Sequence, residues 1–342
     1  MAITLPANQF LAGLKSQPAL LVDARSPAEY LHAHIPGAVN LPLLDNEQRA
    51  IVGTTFKKQG REAAVQKGFD LVGPHFGSFI RKMNDAAPHR NLFIYCWRGG
   101  MRSGIMAWVL SMGGFKVTLL HGGYKRYRKL VLEEINRERN YIVVGGKTGC
   151  GKTEVLNALS QHACVLDMEA LAHHKGSAFG SLGQQPQPGN EMFENLVAEK
   201  FFSMPAGEPV WIENESRNIG SVMVPVSIYE AIRNSPLVEI VSGDARRRAR
   251  IMKEYGVFPA DALSEATQKI RKRLGEVRLR EALDLLSNGR LEEWVDMMLV
   301  YYDKMYMFGM EQRNSISRIE VTDDESAESV ASRMLSSVSL RS

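Results

Sequence analysis

Two α/β domains in tandem, each built on a mostly parallel sheet, are the fold predicted by this 342-residue sequence. Three observations carry the prediction. Short apolar runs alternate with helical segments along most of the chain. A loop beginning Cys96-Trp97-Arg98-Gly99-Gly100 lies between one such run and a helix. A second glycine-rich loop, Gly146 to Thr153, repeats that setting further along.

The elements follow in order. Leu20-Leu21-Val22 reads as a short strand, Ala28 to His32 as a helical turn and Ala38 to Leu41 as a second strand. Leu92 to Tyr95 is a third, buried strand ending at Cys96, and Arg102 to Met112 is a helix stopped by Gly113-Gly114. Lys116 to Leu120 is a fourth strand, which closes a first domain over residues 1–124. Residues 125–140 are highly charged, with Leu130, Val131 and Ile135 at helical spacing, and read as a linking helix. The second domain, 141–322, opens with the strand Tyr141 to Val144 and continues with strands at Ala163 to Leu166, Pro209 to Ile212 and Leu237 to Ile240. Its 262–310 stretch, rich in Leu, Glu, Arg and Met, is helical. Gly180 to Gly189 reads as an exposed loop and the Ser-rich 323–342 as a weakly helical tail.

Composition narrows the class. With 44% hydrophobic and 23% charged residues, disorder is not expected. No apolar run approaches the roughly 20 residues needed to span a bilayer, and the N-terminus lacks the pattern of a signal peptide. The cysteines Cys96, Cys150 and Cys164 are too few and too scattered for a disulfide framework or a four-ligand zinc site, so a reducing cytoplasm is expected. Charge is uneven: residues 1–135 carry 17 basic against 9 acidic side chains, and the remainder 25 against 29. Residues 244–280 are a basic stretch inside that acidic half. Such clusters suit a polyanionic partner, although a solvated helix face has the same composition.

The loop Cys96-Trp97-Arg98-Gly99-Gly100-Met101-Arg102-Ser103 has a physical meaning. Amides wrapping towards a helix N-terminus form an anion nest, and Arg98 and Arg102 add charge that favours a thiolate at Cys96. Gly99 and Gly100 let the chain curl. An inert buried cysteine is the alternative. A cysteine phosphatase would also match, but it usually has a His before the Cys, where this chain has Tyr95, and no general acid is assignable.

Upstream, Leu21-Val22-Asp23-Ala24-Arg25-Ser26-Pro27-Ala28-Glu29-Tyr30 and His34-Ile35-Pro36-Gly37-Ala38-Val39-Asn40-Leu41-Pro42 closely resemble the N-terminal signature of the rhodanese family. Leu120-His121-Gly122-Gly123-Tyr124 resembles its closing strand and turn. The resemblance implies a rhodanese-like α/β domain whose cysteine carries a chalcogen. Most sulfurtransferase members have a loop one residue shorter, so the wider loop here leaves room for a larger atom or an oxyanion.

Gly146-Lys147-Thr148-Gly149-Cys150-Gly151-Lys152-Thr153 matches G-x-x-x-x-G-K-[ST] after a strand and before a helix, as a P-loop requires. Gly146, Gly149 and Gly151 shape a phosphate cradle, Lys152 neutralises the phosphates and Thr153 is suited to Mg²⁺. The domain is therefore expected to be a P-loop NTPase-like parallel α/β fold with a helical C-terminal region. Asp167, Glu169 and Glu213 fall at the C-terminal edges of presumed parallel strands, where ligands bind, as Mg²⁺ partners, a base or plain loop carboxylates. No residue set is assigned to a metal; His173-His174 point in different directions on a helix. Arg246 to Arg250 close over phosphates, track RNA or face solvent.

The order of the two loops, with His174-Lys175-Gly176-Ser177-Ala178-Phe179-Gly180 and Glu213-Asn214-Glu215-Ser216-Arg217-Asn218-Ile219-Gly220, resembles the tRNA 2-selenouridine synthase family over nearly the whole chain. Neither loop departs from the family's pattern. The resemblance implies a tRNA-modifying transferase acting on 2-thiouridine at the wobble position, with geranyl diphosphate and selenophosphate as substrates and no bound prosthetic group. Sulfur is first geranylated, then replaced by selenium. Cys96 would carry selenium within a site that includes Arg98, Gly99, Gly100, Arg102 and Ser103. Gly146, Gly149, Gly151, Lys152, Thr153, Asp167, Glu169, Glu213 and Arg217 would bind the diphosphate. The tRNA, too large for either pocket, would meet Lys125, Arg126, Arg128, Lys129, Arg246 and Arg248. A monomer with no membrane partner is expected. A P-loop kinase or ATPase with a regulatory rhodanese module, and a sulfur-carrier adaptor for tRNA, are the rival readings.

Overall fold

The computed structural model describes residues 2–310 and 316–339. The chain divides into two compact units, Met1–Glu134 with Glu194–Glu199, and Ile135–Phe193 with Lys200–Ser342.

The first unit holds strands β1 (Ile3–Leu5), β2 (Leu20–Asp23), β3 (Val39–Asn40), β4 (Asn91–Tyr95) and β5 (Lys116–Leu120). They form one sheet in the order β1-β5-β4-β2-β3, every pair parallel. Its helices are α1 (Ala7–Ser16), α2 (Pro27–His32), α3 (Asn46–Val72), α4 (Phe76–Ala86), α5 (Met101–Met112) and α6 (Gly123–Ile135). All five residues of β4, the middle strand, are buried. This is why it reads as an unbroken apolar run instead of alternating. Phe10 of α1 packs edge-on against its Phe93, with ring centroids 5.0 Å apart. Residues Met106, Ala107 and Leu110 of α5 share a core with Leu92, Ile94 and Cys96.

Local chemistry sets the helix starts. Ser26 and Glu29 form a capping box at α2, and Asp45 and Gln48 form another at α3, each side chain satisfying an otherwise orphaned amide. Gly60, at φ +86°, breaks α3 into two helical halves. Sequence patterning assigns no element to residues 46–86 because α3 is mostly polar, with only Ala64 and Val72 buried. The predicted linking helix is α6, which ends at Ile135 and leads through an irregular stretch into the next strand.

The second unit contains β6 (Tyr141–Gly146), β7 (Cys164–Leu166), β8 (Val210–Glu213), β9 (Asn218–Ile219), β10 (Val222–Met223), β11 (Leu237–Ser242) and β12 (Ile316–Val321). Five of these make a parallel sheet in the order β12-β11-β6-β8-β7, and β9 and β10 pair as a small antiparallel hairpin. Helices α7 (Lys152–Leu159), α8 (Met168–Ala172), α10 (Val226–Asn234) and α11 (Asp244–Tyr255) belong to this unit, while α9 (Asn190–Ser203) has its middle, Glu194–Glu199, in the first. The helical region consists of α12 (Ala260–Lys269), α13 (Arg271–Leu274), α14 (Glu276–Ser287) and α15 (Leu291–Met310). It packs its own core around Leu263, Ala282, Leu286, Trp294 and Val295.

The Ser-rich end differs from the sequence expectation of a tail beginning at 323. Helix α16 (Ala327–Ser339) buries Val330, Ala331 and Met334 in the same core as Val155, Leu156 and Leu159 of α7. The compact unit therefore continues past 322; residues 340–342 of the predicted tail lie outside the described residues. The serines of α16 dilute its apolar content but leave one apolar stripe intact, and that stripe is what packs. Among the described residues no helix is long and apolar enough to cross a membrane.

Candidate functional site

Cys96 leaves the C-terminal end of β4, the middle strand of the first sheet, and five residues, 96–100, separate that strand from α5. Its Sγ lies 3.2 Å from the Ser103 hydroxyl, itself 3.2 Å from the Gly100 carbonyl oxygen to which it donates. The loop is clamped from behind by the turn at Gly122-Gly123. There the Tyr124 amide donates to the Cys96 carbonyl at 2.8 Å and the Lys125 amide to that of Trp97 at 3.0 Å. Gly99 has φ +63°, and a Cβ there would sit 2.7 Å from the Leu120 carbonyl oxygen. A Cβ on Gly123 would collide with the Cys96 carbonyl oxygen. These close approaches, as much as the curl of the loop, demand glycine. Cys96 is 3% exposed, whereas Arg98, Gly99 and Gly100 face solvent. Arg98 makes no ion pair among the described residues, so its charge is available at the mouth of the loop. Arg102 instead binds Glu29 at 2.5 Å. Burial works to raise the Glu29 pKa, but the Arg102 guanidinium outweighs it and holds the carboxyl below its ordinary value.

Beneath the loop lies an ion pair whose role the sequence did not reveal. Arg25, 1% exposed, grips the Asp23 carboxylate at 2.6 and 2.9 Å and donates to the Ala33 carbonyl at 2.7 Å. Its guanidinium stacks 4.0 Å from the Tyr124 ring centroid. The Asn40 amide donates to the carbonyls of Asp23 and Arg25, and the Tyr95 hydroxyl accepts from the Ile35 amide. The signature residues at 23–40 are thus the floor that holds the cysteine loop in shape.

The phosphate loop repeats the same address in the second sheet. It leaves β6, the middle strand, and residues 147–151 precede α7. Gly146, Gly149 and Gly151 have φ of +148°, +79° and +98°. A Cβ at Gly149 would lie 2.8 Å from the Arg247 carbonyl oxygen, and one at Gly151 would lie 2.7 Å from the Arg250 guanidinium carbon. Helix α11 therefore straps the loop. Arg247 donates to the Thr148 carbonyl at 2.9 Å and binds Asp303, while Arg250 donates to the Cys150 carbonyl at 3.0 Å and pairs with Glu154 at 2.7 Å. Lys152 donates to the Gly146 carbonyl at 2.9 Å, and Thr153 stands exposed on the first turn of α7.

Carboxylates surround Lys152. Desolvation works to lower its pKa, but Cys150, Glu169, Glu215 and Glu213 raise it on balance, so the ammonium stays charged. Burial, then the neighbouring Glu215, pushes Glu169 up to about 9. Glu213 is raised well above the carboxylate range by burial and then by Asp167 and Glu169; Glu215 is raised by burial. Glu169 and Glu215 both face Gly176, where a Cβ would lie 2.6 and 3.0 Å from their oxygens. Glu213 accepts from the Met168 amide at 3.0 Å, and its other oxygen is buried with no partner among the described residues. Carboxyls so close together share protons, and added positive charge would favour their release. Glu215, absent from the predicted site set, is the residue that sequence reasoning missed, although Glu213-Asn214-Glu215 at the end of β8 was visible.

Other predicted residues have different surroundings. Asp167 caps α8, accepting from the Ala170 amide at 2.8 Å. Arg217 donates to the Val224 carbonyl and stacks over Tyr229, bracing the β9–β10 hairpin. Lys125 and Arg126 are exposed on α6, and Lys129 is exposed with Glu133 at 3.8 Å. Arg128 is held by Glu194 and by Asn195 at 2.6 Å. Arg246 donates to the carbonyls of Thr322 and Glu325, and Arg248 pairs with Asp296 at 2.6 Å. The Arg246 to Arg250 cluster thus does structural work at every arginine. The string at 174–180 inserts Phe179 among Tyr255, Trp294 and Tyr302. Among the described residues no group of three or more His, Cys, Asp or Glu side chains is arranged to hold a metal ion.

Comparison with known proteins matches this two-loop architecture. Residues 6–130 match the rhodanese-like domain, and residues 139–337 match the AAA domain of tRNA 2-selenouridine synthase. The tRNA 2-selenouridine synthase of Nitrosomonas europaea is 34% identical, over 86% of this chain and 89% of its own. That of Pseudomonas fluorescens Pf0-1 is 33% identical, over 90% and 92%. A solved N-terminal domain of a putative ATP/GTP binding protein from Clostridium difficile 630 is 40% identical over 38% of this chain and 98% of its own, with a TM-score of 0.35. The chain belongs to the tRNA 2-selenouridine synthase family.

Proposed function

We propose that this enzyme converts the wobble 2-thiouridine of tRNA into 2-selenouridine in two steps, one at each glycine loop. The observation that carries the reading is the pair of loops itself, each leaving the middle strand of a parallel sheet, one with a thiol and free arginine and one with Lys152. In the first step the thiocarbonyl sulfur attacks the first carbon of geranyl diphosphate. The C–O bond to diphosphate breaks, and the base loses its N3 proton. Lys152 and the loop amides stabilise the departing charge. Thr153 would hold Mg²⁺ arriving with the diphosphate, which would supply further neutralisation.

In the second step the selenium of selenophosphate bonds to C2 of the base and the geranyl thiol leaves. The Cys96 thiolate then attacks the phosphorus of this Se-phosphoryl adduct: an S–P bond forms, the P–Se bond breaks to leave the selenocarbonyl, and water releases phosphate from the cysteine. Alkylation makes sulfur a leaving group, which is the chemical purpose of the first step. Cys96 is the nucleophile that handles selenium, with Arg98 facing the phosphoryl oxygens. Lys125 and Arg126 meet the RNA backbone, where phosphate contacts position the substrate. Free thiol chemistry of this kind suits a reducing, cytoplasmic setting.

The test uses the purified full-length chain with 2-thiouridine tRNA. Geranyl diphosphate should yield an S-geranyl nucleoside by mass spectrometry, and selenophosphate added afterwards should convert it to selenouridine. Nucleotide hydrolysis without either product would replace this reading with that of a P-loop ATPase carrying a rhodanese module.

A further inference from the structure

The first unit contains an apolar cavity that neither loop accounts for. It has a volume of about 210 Å³ and is walled by both halves of the kinked helix α3 through Val52, Phe56, Ala64, Val65, Phe69 and Val72. Leu43 and Leu44 line it too, and Met101, Arg102 and Ile105 of α5 complete the wall. The break at Gly60 folds the two halves around one space, and the lining positions 61, 64, 65, 68, 69 and 72 recur at helical spacing on one face. Phe56, Phe69 and Met101 are each about half exposed, so the cavity opens to the surface at a rim of large apolar side chains.

Three features identify its occupant. The α5 wall is the first turn of the helix that begins directly after the Cys96 loop. Cys96 also belongs to the same packed core as Leu43, Leu44, Val72, Val52 and Ile105. The space is larger than the roughly 150 Å³ cavity that admits a benzene ring, so it suits a hydrocarbon of somewhat more than six carbons. Its charged members are Arg61 and Arg102; Arg61 is exposed and makes no ion pair among the described residues, which suits an apolar group attached to a polyanion.

We propose that this cavity binds the geranyl chain of the S-alkylated base while its C2 is presented to the Cys96 loop. The inference rests on the two-step reading above. It makes the chain a recognition handle as well as part of the leaving group. The unalkylated base lacks the handle and is passed over, while the alkylated base is held where selenium is delivered.

The experiment uses anticodon stem–loop RNAs carrying S-geranyl- or S-methyl-2-thiouridine, incubated with selenophosphate and the full-length protein, with selenouridine read by mass spectrometry. Wild type should convert the geranyl RNA at least about tenfold faster than the methyl RNA, since burying several methylenes supplies that discrimination. Ala64→Phe fills the cavity and Val65→Asp makes it polar at a half-buried position that does not require core repacking. Each should bring the ratio of the two rates to within about twofold. A wild type that converts geranyl RNA, with variants that fold and keep its preference, would overturn the cavity assignment alone. A wild type that selenates 2-thiouridine RNA directly and leaves S-geranyl RNA untouched would remove the two-step reading itself.

Discussion

The two glycine loops occupy the same place in their sheets and are built from opposite electrostatics. Each follows the middle strand of a five-stranded parallel sheet and spans five residues before a helix. The cysteine loop rests on a buried cation, Arg25, neutralised by one carboxylate, and has exposed Arg98 at its mouth. The phosphate loop sets Lys152 among Glu169, Glu213 and Glu215, with arginines strapped to its carbonyls. One address thus carries two different sets of side chains. On the two-step reading proposed above, the amides at each helix start offer an anion site, and the side chains around it decide whether a thiol or an ammonium meets the anion.

The largest effect should come from Cys96→Ser. We expect selenium transfer to fall by on the order of a thousandfold or more, because a serine hydroxyl is a far weaker nucleophile. S-geranylation should persist, and mass spectrometry of digested tRNA scores both nucleosides. Normal selenouridine formation in this variant would erase the distinction between the loops.

Removing the cation under the cysteine loop is the next test. Arg25→Ala leaves Asp23 buried and unpaired, which should cost about 3–5 kcal/mol of stability and lower the unfolding midpoint of the first unit. The same measurement on Arg98→Ala, an exposed arginine with no ion pair among the described residues, should show little change in stability. A small loss for Arg25→Ala would mean that its stacking and ion pair do not support the loop floor.

Lys152→Ala should weaken geranyl diphosphate binding about ten- to a hundredfold, the ~1.5–3 kcal/mol of a charge-assisted phosphate contact. Titration calorimetry measures it. Unchanged affinity in a folded variant would move the ligand away from this loop.

The smallest effect sharpens the electrostatic contrast. A solvated glutamate titrates near 4.5, and Glu169 is pushed up to about 9 in the folded chain. Between those values the folded state holds a proton that the unfolded state has released, so this group makes stability fall as pH rises. The slope is at most about 1.4 kcal/mol per pH unit. Glu169→Gln should flatten the curve between pH 7 and 8 in chemical-denaturant titrations, whereas Glu29→Gln should not. An identical slope in the Glu169→Gln protein would mean that Glu215 or Glu213 holds the proton.

Much of this molecule was legible before folding. β4 and β6 announce themselves as apolar runs because both faces are covered, and the glycines of each loop declare the turns that follow. Helix α3 was not legible: its inward face meets a cavity and solvent, so its sequence carries no dense apolar stripe. Arg246 and Arg248 show what a local run of charge leaves open. A run of arginines reads as a polyanion surface, but here the side chains bind carbonyls of the C-terminal segment and Asp296. Charge along the chain says nothing about which opposite charge arrives from elsewhere in sequence.

The sequence by itself determined the two parallel domains, the position of the thiol and the phosphate cradle, because strand–loop–helix patterns are local and each motif is complete within about ten residues. Only the tertiary structure decided the remainder. It set Arg25 against Asp23 and Tyr124, gathered Glu169, Glu213 and Glu215 around Lys152, buried the Ser-rich helix α16 against α7 and opened a cavity between the halves of α3. Each of these brings together residues from separate elements, and their energies depend on burial and on neighbours that no local pattern encodes.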